Sequence, residues 1–346
     1  MNAKQITIGI DLGDRRHAVC VLSAAGKILA ELEVVNTREC LSAFAQRYPR
    51  ALFVMETGTH SPWVSRLLEA RGHRVIVANA RKLRAISTSL TKSDEADARM
   101  LARLGRADPV LLSPVKHRSE ATQRALVQLK VREALVRSRV NQMNSVRFLV
   151  KSLGLQVARG IKASAFVRQF RVRADAATCA LVEPLLLAID HLNAQLKQLD
   201  AQLATLATAH YPMTERLQQI AGVGPLTSLC FVLTVESPAR FPCTRDVGAY
   251  LGLVPRRDQS GASDKQLPIT KAGHQQLRCL LVNCAHYILG PFGPPSRLRE
   301  AGERIAARGG KSAKKRAVIA VARKLAVTLL ALWKTNSTYQ PLALAA

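Results

Sequence analysis

The chain has 346 residues, 48% of them hydrophobic, enough for two or three domains with real cores and too apolar for a disordered tail. Lys and Arg number 51 against 24 Asp and Glu, a formal net charge of +27, and such an excess calls for a polyanionic partner, nucleic acid first because each phosphate contact releases counterions. No apolar run of about 18 residues escapes charge, and the start Met1-Asn2-Ala3-Lys4-Gln5 lacks the basic-then-apolar order of a signal peptide, so a soluble intracellular protein without a membrane partner is expected.

Two apolar runs, Ile6 to Ile10 and Ala18 to Leu22, and a third from Ile28 to Val35 after the turn at Ala25-Gly26-Lys27, predict three strands in a meander. An amphipathic helix near Cys40 to Arg47, a strand Ala51 to Met55, a helix with Ser61 as N-cap and Pro62 at its first position, and a strand Arg74 to Ala78 follow. The result is a mixed sheet surrounded by helices over residues 1–115.

Residues 116–210 change character. Leu129, Val136, Met143 and Val150 recur seven apart on a long helix, and a second helical run carries Leu192, Leu196, Leu199, Leu203 and Leu206. That spacing suits an antiparallel pair or a dimerising coiled coil, and equally two bundle helices. After Tyr211-Pro212 a third region, 211–346, runs to a basic amphipathic helix from about Lys311 to Trp333. The seven cysteines (20, 40, 179, 230, 243, 279 and 284) are odd in number and never form a C-x-x-C pair. Reduced thiols in apolar surroundings, with no structural zinc, are expected.

Carboxylates are scarce, yet four fall at element ends. Asp11 ends the first strand and Glu56 the fourth; if those strands are neighbours, the two acids emerge side by side at one sheet edge. The segment Thr91-Lys92-Ser93-Asp94-Glu95-Ala96-Asp97 begins a helix, and i, i+3 spacing puts Asp94 and Asp97 on one face of its first turn. Four such carboxylates suit two Mg²⁺ ions of the kind that clamp attacking and leaving oxygens in phosphoryl transfer. Each acid also has an ordinary role as turn former or helix cap, and Glu95 competes with either Asp as a ligand. His60, four residues after Glu56, reads better as a hydrogen-bonded structural histidine than as a site residue. Strand order and acidic ends together resemble the RNase H fold in its RuvC resolvase variety.

The stretch Ile220-Ala221-Gly222-Val223-Gly224-Pro225-Leu226-Thr227 reads as the hairpin of a helix-hairpin-helix, whose glycines let backbone amides approach a DNA phosphate at a helix N-terminus. A plain interhelical turn is the competing reading. Beyond it, Tyr250-Leu251-Gly252-Leu253-Val254-Pro255 leads through Arg256, Arg257 and Gln259 to Ser260-Gly261, read as a flexible loop, and on to Thr270-Lys271-Ala272-Gly273.

Taken in order, Gly9-Ile10-Asp11-Leu12-Gly13, Met55-Glu56-Thr57-Gly58, Ser93 to Ala98, Ala221 to Thr227 and Tyr250 to Gly273 resemble the insertion-sequence 110 family of DEDD transposases. The resemblance implies an α/β plus α architecture: an RNase H-like, RuvC-type domain, a coiled-coil-like helical middle, and a mainly helical transposase domain with a helix-hairpin-helix. It places the metal tetrad on Asp11, Glu56, Asp94 and Asp97, with Mg²⁺ or Mn²⁺ as cofactor, and the catalytic serine on Ser260. Members often carry two serines before the glycine; here Gln259 precedes Ser260, leaving one candidate. The resemblance also implies DNA at the element ends and the target as substrate, a structured guide RNA, a homo-oligomer of two or four chains, and a prokaryotic, nucleoid-associated cytoplasmic location.

Expected nucleic-acid contacts are Gly222, Gly224, Thr227, Arg256, Arg257, Lys271, Lys311, Lys314, Lys315 and Arg316. Aromatic residues make up only 4% of the chain, so phosphate contact is expected to outweigh base stacking. The main rival is a metal-dependent RuvC-like junction nuclease that forms no covalent link. Gly9 to Gly13 also resembles the phosphate loop of sugar kinases and actin-like ATPases, but their second glycine-rich nucleotide motif is missing. A non-enzymatic architectural DNA binder is the third reading.

Overall fold

A computed structural model describes residues 5–83, 93–158, 160–261 and 263–342. The chain divides into two compact units, with the boundary between Ser119 and Glu120.

The first unit contains β1 (Thr7–Asp11), β2 (Arg16–Leu22), β3 (Ile28–Val35), α1 (Arg38–Gln46), β4 (Leu52–Glu56), α2 (Ser61–Glu69), β5 (Arg74–Ala78) and α3 (Asp94–Ala107). The strands form one sheet in the order β3-β2-β1-β4-β5. The meander β1-β2-β3 is antiparallel, whereas β4 and β5 run parallel to β1. The first and fourth strands are neighbours, the condition for Asp11 and Glu56 to emerge side by side, and the mixed topology is that expected of an RNase H-like α/β domain.

Side-chain alternation along the strands feeds two layers. One face sets Ile8, Ile10, Phe53 and Met55 against Leu41 and Phe44 of α1 and Val64 and Leu68 of α2. The other packs under α3, where Ala98 and Ala102 meet Ala18, Cys20 and Leu22, and Leu101 meets Leu52 and Val54. Glycine makes that second layer possible. A Cβ on Gly9 would stand 2.0 Å from the Ala98 carbonyl oxygen, and one on Gly105 would stand 2.4 Å from Val54 Cγ2.

Two local expectations are corrected. Thr37 caps α1, accepting from the Cys40 amide at 3.2 Å. At α2, however, the cap position is His60, and Ser61 lies inside the helix. Its hydroxyl is committed to the preceding turn, accepting from Gly58 N at 3.0 Å and donating to Gly58 O at 2.9 Å. The seven cysteines are all free, but Cys40, Cys243 and Cys279 are exposed. Sequence context alone does not say which face of a helix a thiol occupies.

The second unit contains α4 (Glu120–Leu149), α5 (Phe166–Arg173), α6 (Ala176–His210), α7 (Met213–Leu217), α8 (Pro225–Val235), α9 (Asp246–Tyr250), β6 (Pro255–Ser260), β7 (Ser263–Ile269), α10 (Gln275–Leu289), α11 (Arg297–Ala306) and α12 (Ala313–Thr335). The long helices α4 and α6 are an antiparallel pair, because Arg132 bonds Asp200 while Arg139, further along α4, bonds Asn193, further back on α6. Leu129 and Leu203 join one end of the pair to the core formed with α8, α10 and α12, and Met143, Val146, Leu186 and Ile189 make a separate cluster with α5 at the other end. The heptad positions Leu129, Met143 and Val150 are all buried, as is Leu196. Among the described residues no helix is long and apolar enough to cross a membrane.

Candidate active site

Asp11 and Glu56 each stand one residue beyond Ile10 and Met55, the last positions at which β1 and β4 pair with each other. Since Ile10 and Met55 face the α1/α2 layer, alternation turns both acids to the opposite face, the one under α3.

The direction of α3 follows from three contacts. Ala98 and Ala102 lie over Gly9, Gly105 lies over Val54, and Arg106 reaches the β2–β3 turn, donating to Ala24 O at 2.7 Å. That turn is at the end of the sheet where β1 starts, because Thr7 pairs with Leu22. The N-terminus of α3 therefore points toward the end where β1 and β4 finish. Asp94 is one turn before Ala98, about 6 Å along the helix, and Asp11 is two residues past Gly9, about 6.6 Å along the strand. Asp97 stands likewise one turn before Leu101, which packs on β4. The first turn of α3, with Asp94 and Asp97, thus lies toward the same end of the same face as the strand ends that carry Asp11 and Glu56. Asp94 is exposed, Asp97 is buried, and Asp11 and Glu56 are half-buried.

Helix α3 is fixed from its side as well as beneath. Arg99 donates two hydrogen bonds to the Glu31 carboxylate of β3, at 2.7 and 2.9 Å. The Arg99 hydrogen bond holds the Glu31 carboxyl below its usual range. Burial and the nearby Glu31 push the Cys20 thiol, on β2 between them, up to about 11. At its start, Ser93 caps the helix, accepting from Ala96 N at 3.2 Å. The three acids of the first turn also suit the positive end of the helix dipole. Thr91 and Lys92, expected at the start of this helix, lie outside the described residues.

The donor set fits a hard cation, since it consists of carboxylates with no thiolate or imidazole among them. Among the described residues no three His, Cys, Asp or Glu side chains stand close enough together to hold a metal ion. Mg²⁺ does not require such a cage, because it is commonly held by one or two carboxylates plus water and substrate phosphate.

His60 is tied into the structure beside α2. Its Nδ1 accepts from Trp63 Nε1 at 3.2 Å, which leaves Nε2 to donate to Asp14 Oδ1 at 2.9 Å. Asn36 pins the loop that follows Asp11, donating to the Gly13 and Asp14 carbonyls at 3.1 and 3.0 Å. Neither Asn36 nor the Glu31–Arg99 pair carries a local sequence signal, as each joins residues far apart in the chain.

In the second unit Ser260 is exposed, but not in a loop. It closes β6 and pairs with Ser263 across a turn at Gly261, φ +56°. The strand escaped prediction because all six of its residues are exposed, so Arg256-Arg257-Asp258-Gln259-Ser260 has no apolar alternation to read. Arg256, Arg257 and Lys271 are exposed on and beside the hairpin.

At the glycine turn between α7 and α8, Gly222 has φ +90° and its position is exposed, and Gly224 precedes α8 with open space around it. Thr227 corrects its expected surface role. Its side chain is buried and its hydroxyl accepts from Cys284 Sγ at 3.7 Å, because the first turn of α8 packs onto α10. Lys311, Lys314, Lys315 and Arg316 are all exposed around the start of α12, while Ala317, Val321 and Leu325 face the core.

An RNase H-like α/β unit followed by a mainly helical unit in a chain of net charge +27 suits a protein that acts on DNA, and the comparisons point the same way. Residues 8–154 match a transposase profile of the IS110 DEDD type, and residues 214–299 match the profile described as transposase of the IS116/IS110/IS902 family. The chain is 29% identical to the transposase for insertion sequence element IS1111A of Coxiella burnetii, over 72% of this chain and 68% of that one. It is 27% identical to the transposase for IS1328 of Yersinia enterocolitica, over 80% and 82%. It is also 27% identical to the pilin gene-inverting protein of Moraxella bovis, over 83% and 81%. The chain belongs to the IS110 family of transposases, enzymes that cut and rejoin DNA.

Proposed function

We propose that this transposase cuts and rejoins DNA through Ser260, assisted by a divalent ion held by Asp11, Glu56, Asp94 and Asp97. The reading is supported by the placement of Asp11 and Glu56 at the ends of neighbouring strands and of Asp94 and Asp97 on the first turn of the helix that covers the same face. Ser260 Oγ attacks the phosphorus of a backbone phosphodiester and loses its proton. The P–O bond to one DNA hydroxyl breaks, and that hydroxyl leaves with a proton. Protein and DNA are then joined through a phosphoserine diester. Attack by a DNA hydroxyl on the same phosphorus reverses the step, frees the serine and rejoins the strand without an external energy source. A bound Mg²⁺ or Mn²⁺ would supply positive charge to offset the extra negative charge that develops on the phosphate oxygens.

The chain's own residues position the DNA. Arg256, Arg257 and Lys271 flank the serine and hold phosphates, as do Lys311, Lys314, Lys315 and Arg316 and the amides of Gly222 and Gly224. Such contacts fix register but not sequence, and the choice of target is left to an element-encoded RNA that pairs with DNA. The working unit is a homo-oligomer of two or four chains, with residues 1–115, 116–210 and 211–346 as its functional segments.

The test is cleavage of a duplex spanning the element end and its flank, with the transcript of the adjacent noncoding DNA, in Mg²⁺ or EDTA. The wild type cleaves only with Mg²⁺, and Asp11→Asn and Glu56→Gln fall by at least about 100-fold. A Ser260→Ala protein that still hydrolyses the duplex would favour the alternative of a junction nuclease.

A further inference from the structure

The Ser260 hairpin stands clear of the second unit along the whole of β6, and an isolated two-stranded ribbon is only marginally stable in water. Its aim depends on how its base is held. The base is a close crossing of two chain segments, Tyr250 to Val254 before β6 and Thr270 to Gly273 after β7. Thr270 N donates to Val254 O at 2.9 Å and Lys271 N to Gly252 O at 3.2 Å. Glycine is required on both sides. Gly252 has φ +67°, and a Cβ there would stand 2.2 Å from Ala272 N; Gly273 has φ +69°, and a Cβ there would stand 2.0 Å from Tyr250 O.

Beneath this crossing lies Arg278 of α10, only 9% exposed. A single guanidinium nitrogen, Nη1, donates to Leu251 O at 3.1 Å and to Ala272 O at 2.7 Å, one carbonyl from each limb. Among the described residues no carboxylate pairs with it. A buried cation answered mainly by neutral carbonyls is a costly way to fill space. What it gains is one rigid joint between α10 and both roots of the hairpin.

We propose that Arg278 is a positioning residue for DNA cleavage: it clamps the two roots of the β6–β7 hairpin to α10 and so fixes where Ser260 is presented. The proposal rests on Ser260 as the nucleophile, and its distinguishing signature is a slower rate at unchanged DNA affinity.

Arg278→Met keeps the length and removes the donors. In the free full-length protein, amide exchange across β6–β7 accelerates, while α8 and α12 keep their wild-type protection. With the element-end duplex and its transcript at saturating protein, the single-turnover rate of protein–DNA adduct formation falls by about 10- to 100-fold, as expected for a misplaced reacting group. The Kd for the same duplex stays within about threefold. Arg278→Lys, which retains charge and donors, recovers part of the rate. Gly252→Ala, which spreads the same joint from the other side, reproduces the split between rate and affinity should Arg278→Met fold poorly. Wild-type adduct rates in Arg278→Met and Gly252→Ala, or hairpin exchange unchanged in both, would overturn the clamp. So would faster exchange spread evenly over the whole second unit. If the wild type forms no adduct at all, the reading of Ser260 falls instead, and the exchange measurement on free protein still decides the clamp.

Discussion

Gly9 of β1 lies so close beneath Ala98 of α3 that a Cβ on Gly9 would stand 2.0 Å from the Ala98 carbonyl oxygen and 2.6 Å from Ala102 N. Both are backbone atoms and cannot step aside as a side-chain tip would. This close approach sets how low α3 rides on the sheet, and hence how near Asp94 and Asp97 come to the strand ends that carry Asp11 and Glu56.

Gly9→Val is therefore expected to lift α3. Overpacking a filled core costs about 1 to 3 kcal/mol, measurable as an earlier denaturant midpoint for the first unit. Cleavage should fall much further than stability, since the carboxylates separate even in molecules that remain folded. A variant that unfolds earlier yet cleaves like the wild type would show that the height of α3 is irrelevant to the chemistry.

The first unit should weaken in mild acid. His17 is fully buried, and burial, then repulsion from His60, lowers its pKa below the ordinary 6.5 against a smaller opposing pull from Asn36. Burial likewise lowers His73, with Arg71 adding to it, and His117, with Arg66 and Arg118 adding to it. Below about pH 6.5 the unfolded chain takes up protons at these sites that the folded chain refuses, so stability is complete above that pH and is lost as the pH falls toward the folded values. Urea titrations between pH 7.5 and about 5 should show this slope, and His17→Leu should flatten it. A slope unchanged in His17→Leu would assign the effect elsewhere.

The basic residues at the start of α12 should act through charge alone. Replacing Lys311, Lys314, Lys315 and Arg316 with Ala is expected to weaken binding to specific and unrelated duplexes alike, and to reduce the slope of log K against log salt by about 0.9 for each phosphate that is no longer neutralised. A change confined to one DNA sequence would instead mean that these side chains read bases.

The strand ends at Asp11 and Glu56 and the helix start at Asp94 were legible because their signals are local: apolar runs precede the two strand-end acids, and Ser93 caps the helix. The pairing of β1 with β4 stands in the sequence only as a condition, and the fold meets it. The hairpin was not legible, for a ribbon wet on both faces carries no hydrophobic period. Thr227 looked like part of a phosphate-binding turn, yet the helix that it opens turns it onto Cys284. Arg278, Asn36 and the Glu31–Arg99 pair depend on partners distant in sequence, and only the fold brings them together.

In the proposed mechanism a metal-dependent acidic centre works with a serine that becomes covalently linked to DNA. The most direct measurement is peptide mass spectrometry after quenching the reaction with an element-end duplex in Mg²⁺ under denaturing conditions and digesting the DNA. A nucleotide phosphate attached to the peptide containing Ser260, absent in Ser260→Ala and in Asp11→Asn, is the predicted result. Cleaved DNA with no nucleotide on that peptide, and equal cleavage by Ser260→Ala, would contradict it.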